Sequence, residues 1–239
     1  MIQELSSEIN KKIDSLTWPQ TSALKTFNSE TDCKELYEET CHEIGVFFNE
    51  FGFKKSKRKI QLNYDDYQLK ILFASSGYNE KGNFIWLEIN SGAYPLQMIK
   101  KYKTEGERLQ PIIFSNQTLL QTKLETTSDY QVTEYPIHGH SKTAPNNHDE
   151  SLAKYSNGIN LNGLDLESFK DILRYIVKLT EKTVSLTTNR AELLKFISNP
   201  TKPQLYWIKE KRFLDYINLY YSNDDELKTH LNSLINSLE

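Results

Sequence analysis

Two cysteines are all that 239 residues provide, which rules out the disulfide framework of small secreted domains. Cys33 and Cys41 fall on a stretch that reads as one helix. At ~1.5 Å per residue they stand about 12 Å apart along its axis, whereas a disulfide needs Cα atoms within about 7 Å. Reduced thiols are expected, and two cysteines without matching ligands do not make a zinc site. No apolar run approaches the ~20 residues needed to span a bilayer. The opening "MIQELSSEINKKIDSL" lacks the basic-then-apolar layout of a secretory signal, so a cytoplasmic address is the expectation. An excess of one charge is missing too. Lysine and arginine number 29 against 32 acidic residues, a net of −3, so any pull on nucleic acid or anionic lipid must come from a local patch. No P-loop, G-x-G-x-x-G, H-E-x-x-H or G-x-S-x-G motif occurs, and no cofactor is implied.

What is present is enough for a folded core. Hydrophobic residues make up 38% and charged residues 26%, which excludes a disordered chain. Fourteen tyrosines suit wet contact surfaces as well as cores. Ile2, Leu5, Ile9, Ile13 and Leu16 recur at helical steps, predicting a helix over 1–17 that "TWPQT" ends, since Pro19 disfavours helical angles at Trp18. Asp32 and Glu35 form a capping-box pattern ahead of a broad apolar face running to Phe51, with Gly52 placed for a left-handed cap.

The period then changes to two. Ile60, Leu62 and Tyr64 precede "DD", and Tyr67, Leu69, Ile71 and Phe73 follow it. A two-residue turn at Asp65–Asp66 pairs Tyr64 with Tyr67, Leu62 with Leu69 and Ile60 with Ile71 on one face. "FIWLEIN" (84–90) predicts a third, central strand with bulk on both faces. Pro95 opens a short helix to Tyr102, and "PIIF" (111–114) and "YQVTEYPI" (130–137) read as further strands. Residues 138–163 show no periodicity and read as a long polar loop. Beyond 164 the chain is helical. Leu164, Asp165 and Phe169 form a hydrophobic staple; Thr188 or Asn189 caps a shorter helix, Pro203 opens one to Tyr221, and Asn223 or Asp224 caps the last.

The stretch "FNEFGFKKSKRKIQLNYDDYQLKILFASSGYNEKGNFIWLEINSG" (48–92) resembles a bacterial family known as domain of unknown function 4304. The likeness lies in the helix followed by Gly-Phe-Lys-Lys, a strand ending "ILFASSGYN", and a strand from Phe84. The resemblance implies a sheet with a helix packed on it and carries no catalytic residues across.

Four groups of residues bear on function. His138 and His140, with His148 or Asp149, have ligand types for a zinc site with an open position. Their setting of Ser, Thr, Pro and Asn lacks the packed support that a ligand set needs, so a solvated loop is the expected state. The run Lys54, Lys55, Lys57, Arg58 and Lys59 has the charge to hold phosphates, or serves to guard a sheet edge. Trp207, Leu214 and Tyr221 make a second stripe, seven residues apart, on the helix expected at 203–221; a doubly striped helix lies between two partners, one of which can be another chain. Asp65, Asp66 and Glu88 approximate the acids of a PD-(D/E)xK-like nuclease core, but Asn90 stands where that chemistry needs a lysine.

The reading is an α+β protein: an antiparallel β-meander backed by helices, followed by a C-terminal all-helical region. Residues 1–160 and 161–239 mark the two parts, as separate units or packed as one. A non-catalytic binding or protein-interaction role is expected, an immunity-type role or self-association being forms of it. The alternatives are a metal-dependent hydrolase or nuclease with a degenerate core, and anion or nucleic-acid binding through 54–59. No membrane partner is expected.

Overall fold

Period-two alternation builds the centre of the molecule, and amphipathic helices cover one side of it. The computed structural model describes residues 2–75, 77, 79–83, 85–115, 158–198, 200, 205 and 207–236. Helix α1 (Ile2–Asp14) and helix α2 (Cys33–Asn49) come first, the latter capped by Asp32, whose carboxylate accepts from the Lys34 and Glu35 amides. Gly52 (φ 83°) lets the chain leave α2 in the left-handed region. Strands β1 (Lys54–Ser56), β2 (Lys59–Tyr64), β3 (Tyr67–Ala74) and β4 (Trp86–Pro95) then run antiparallel in sequence order. The β2–β3 register is the expected one: Ile60 faces Ile71, Leu62 faces Leu69, Tyr64 faces Tyr67. Asp65 supplies the positive φ (42°) that the two-residue turn requires. The fold is α+β.

Two differences from expectation have physical causes. Strand β4 continues past Asn90 to Pro95, because neighbours on both edges satisfy its backbone. Helix α3 (Leu96–Thr104) starts directly after it. Strands β5 (Ile113–Ser115) and β6 (Gly158–Asn160) both pair with the far edge of β4, opposite 91–93 and 86–88. They lie end to end as one interrupted edge strand. A three-residue strand is too short to show alternation, so the end of the expected loop did not declare itself. Residues 130–137 lie outside the described residues.

The long helix α4 (Leu166–Thr188) crosses the apolar face of the sheet, capped by Asp165 through the Ser168 amide. Buried Ile172, Ile176 and Leu179 follow helical spacing along it. Its polar residues are seated as well: Thr183 Oγ1 lies 2.8 Å from Ser91 Oγ, and Thr187 Oγ1 lies 2.8 Å from the Tyr64 hydroxyl. Helix α5 (Arg190–Ser198), capped by Asn189, helix α6 (Lys211–Tyr220) and helix α7 (Asp225–Asn236), capped by Asp224, complete the chain. One apolar cluster joins Ile9, Phe48, Leu69, Ile89, Ile176, Phe213 and Leu227, so helices from both ends share the core of the sheet.

The helix expected over 203–221 is interrupted. Residues 207 and 208 are helical, but Glu210 is extended (φ −67°, ψ 136°) and α6 begins afresh at Lys211. Trp207 therefore does not share a continuous helix with Leu214 and Tyr221. No described helix is long and apolar enough to cross a membrane.

Candidate anion-binding face

One face of the sheet carries α2 and α4. The other is polar, as the register dictates. Cross-strand rows on it are Ser56, Lys59, Leu72 and Asn90, then Lys54, Gln61, Lys70 and Gly92, then Asn63, Gln68 and Tyr94. Lys54, Ser56, Asn63 and Leu72 are exposed, while Lys59, Gln61, Gln68, Lys70 and Asn90 are half-buried. Near β4 the face is closed by Pro111: a Cβ on Gly92 would lie 2.8 Å from Pro111 Cβ, so only glycine admits this approach.

Strand geometry divides the basic run. Lys55 alternates to the helix side, where its Cβ packs against Gly45 of α2. Lys57 and Arg58 form the β1–β2 turn and pair with Glu38 at 3.1 and 3.6 Å. Hydrogen bonding from Lys57 holds the Glu38 carboxyl below the usual range, and Arg58 also lies over the Tyr37 ring at 5.6 Å. Lys57 and Arg58 are thus paired to α2, and the Lys55 stem packs on it. Lys54 and Lys59 are left on the open face.

Other parts of the chain add to them. Lys70 Nζ sits 4.0 Å from the centre of the Tyr94 ring, a cation–π contact. Burial lowers the Lys70 pKa, and the charges of Lys59 and Arg108 lower it further. Burial raises the Tyr94 hydroxyl, against the pull of Arg108 and Arg212. Arg212 stacks on Trp207 at 4.8 Å, pairs with Glu210 at 3.5 Å, and keeps its Nε without a hydrogen-bond partner. No described carboxylate pairs with Lys54, Lys59, Lys70 or Arg108. Like charges held this close in a net-acidic protein raise the local potential.

The remaining sequence candidates fall elsewhere. Asp66 accepts from Gln97 and from the Tyr220 hydroxyl, at 2.9 and 2.7 Å. Glu88 accepts from Asn90 at 3.0 Å. Asp65 and Asp66 turn the chain where Tyr67 pairs with Pro95, whereas Glu88 pairs with Ala74. Seven residues of strand, roughly 23 Å, separate the two ends, so the fold does not bring the aspartates to Glu88. Among the described residues no group of three or more His, Cys, Asp or Glu is placed to hold a metal ion. His138, His140, His148 and Asp149 lie outside the described residues. Leu214 and Tyr221 pack, half-buried, against the core.

Sequence reasoning missed Lys70, Tyr94, Arg108 and Arg212. A signal existed for Lys70, because the Leu62–Leu69 register places it beside Lys59 and Gln61. Arg108, in an irregular segment, offered none. Compared with protein-family models, curated proteins and solved structures, the chain has no match.

Proposed function

We infer that this chain is a non-catalytic binding protein that takes an anionic partner on the open face of its sheet. The carrying observation is that Lys54, Lys59 and Lys70 share one face of the sheet, with Arg108 close enough to act on Lys70, and that none of the four forms an ion pair with a described carboxylate; Glu88, on the same side of β4 as Asn90, is held by the Asn90 amide. A like-charged cluster costs the free protein electrostatic energy, and an anion bound there relieves it. Among the described residues the candidate acids do not gather: Asp66 is engaged by Gln97 and Tyr220, and Glu88 by Asn90.

The test is binding to a heparin-type polyanion across a salt series. The wild type binds at low salt, and each phosphate- or sulfate-like contact contributes about 0.7–0.9 to the log–log salt slope. Lys70→Gln with Arg108→Gln lowers the slope by about 1.5, with an unchanged circular dichroism spectrum. Lys34→Gln, on the exposed start of α2, leaves binding as it was. Absence of binding at the lowest salt, or equal losses in all variants, overturns the reading.

A further inference from the structure

We propose that the anion is single-stranded nucleic acid, laid across strands β1 to β3 on the open face. This rests on the anion-binding reading above and narrows it to one partner. The cations form a track rather than a point. Lys54 on β1 and Lys70 on β3 share a row with Gln61 between them, about 10 Å apart at ~4.8 Å per strand. Lys59 stands one row along on β2, and Arg108, three residues before the Pro111 that packs on Gly92, lies close enough to act on both Lys70 and Tyr94. Such a track follows a flexible phosphate backbone that crosses the strands.

The groups between the cations separate nucleic acid from an acidic peptide. Gln61, Asn63 and Gln68 lie between and beside the cations, Asn63 Oδ1 accepting from Gln61 and Gln68 at 3.5 and 3.3 Å. Primary amides donate and accept together. Base edges offer both kinds of partner, whereas acidic side chains only accept. Two indoles lie within reach of an extended strand: half-buried Trp86, on the same side of β4 as Asn90 and about 20 Å along it from the Lys54–Lys70 row, and Trp207, beneath Arg212. Aromatic rings give unpaired bases a surface to stack on, while the cations hold the phosphates. A duplex keeps its bases stacked inward, and an open sheet face presents no element to enter a groove.

The experiment uses the full chain and a fluorescent oligothymidylate of about 12 nucleotides, within the ~4–16 that single-strand-binding OB folds cover. The same oligonucleotide as a duplex, a heparin fragment and poly-glutamate serve as parallel ligands. The expected result is single-strand affinity at least tenfold above the other three, with tryptophan quenching. Trp18 is packed on Phe169 at 5.0 Å, so that quenching reports Trp86 and Trp207. Lys54→Gln with Lys59→Gln, at outward positions, weakens single-strand binding about tenfold and flattens its salt dependence. Trp86→Leu removes part of the quenching. Equal binding of heparin and oligothymidylate, or tighter binding of the duplex or of poly-glutamate, overturns the nucleic-acid inference and leaves the anion reading standing. If no polyanion binds at low salt, both fail.

Discussion

Gly92 sits where the absence of a side chain is a structural requirement. The segment after α3 returns over the polar face there, and Pro111 occupies the space a Cβ would take, with Tyr94 Cε2 a further 3.3 Å neighbour. Gly92→Ala forces Pro111 or the Tyr94 ring to move, and Tyr94 carries Lys70 on its π face. Overpacking of this kind destabilises by about 1–3 kcal/mol. Urea denaturation should give that loss together with weaker polyanion binding; a variant as stable as the wild type would show that Pro111 is not seated on Gly92. Asp65 illustrates a milder constraint. Its φ of 42° lies in the left-handed region, which aspartate tolerates better than most residues.

At the scale of elements, the seating of α4 on the sheet combines apolar burial with a few polar locks. Ser91 and Thr183 are both fully buried, and their hydroxyls meet at 2.8 Å, with Thr183 also donating to the Leu179 carbonyl. Thr183→Val removes one partner and strands the Ser91 hydroxyl, costing about 1–3 kcal/mol. The double variant Ser91→Ala with Thr183→Val removes both polar groups and recovers most of that loss. A double-mutant cycle by thermal unfolding reads the coupling directly; additive single effects would mean that the pair does not lock the helix. The same elements explain the open face. Because α2 and α4 both take the apolar side, the alternate residues of β2 and β3 are left to solvent or to a ligand.

For the whole molecule, tyrosines tie the C-terminal helices to the turn end of the sheet. The Tyr64 and Tyr67 rings stack at 5.5 Å, the Tyr67 and Tyr216 hydroxyls meet at 3.1 Å, and Tyr220 donates to Asp66. Burial raises the pKa of Tyr216 far above its ordinary value and that of Tyr67 from 10.0 to about 12, and it lifts the Cys41 thiol from 9.0 to about 12. These groups are neutral when folded and ionise more readily when unfolded. Their contribution to stability is complete below about pH 9 and declines as pH rises toward about 12. Tyrosine absorbance followed alongside circular dichroism should show a late class of phenols that ionises only as ellipticity is lost. Phenols that all titrate near 10 in a still-folded chain would contradict this packing.

Short-range pattern by itself determined the helices at both ends, the Asp32 and Asp165 caps, and the β2–β3 register, because each depends on neighbours within a few residues or across one turn. It also placed a basic run at 54–59 but could not say where those side chains point. Only tertiary structure decided that Lys55, Lys57 and Arg58 turn to α2 while Lys54 and Lys59 join Lys70 and Arg108. It likewise broke the helix expected at 203–221 and carried the aspartates of the turn away from Glu88. The reason is physical: periodicity records which side of an element is apolar, while the company kept by the polar side depends on which distant segments pack beside it.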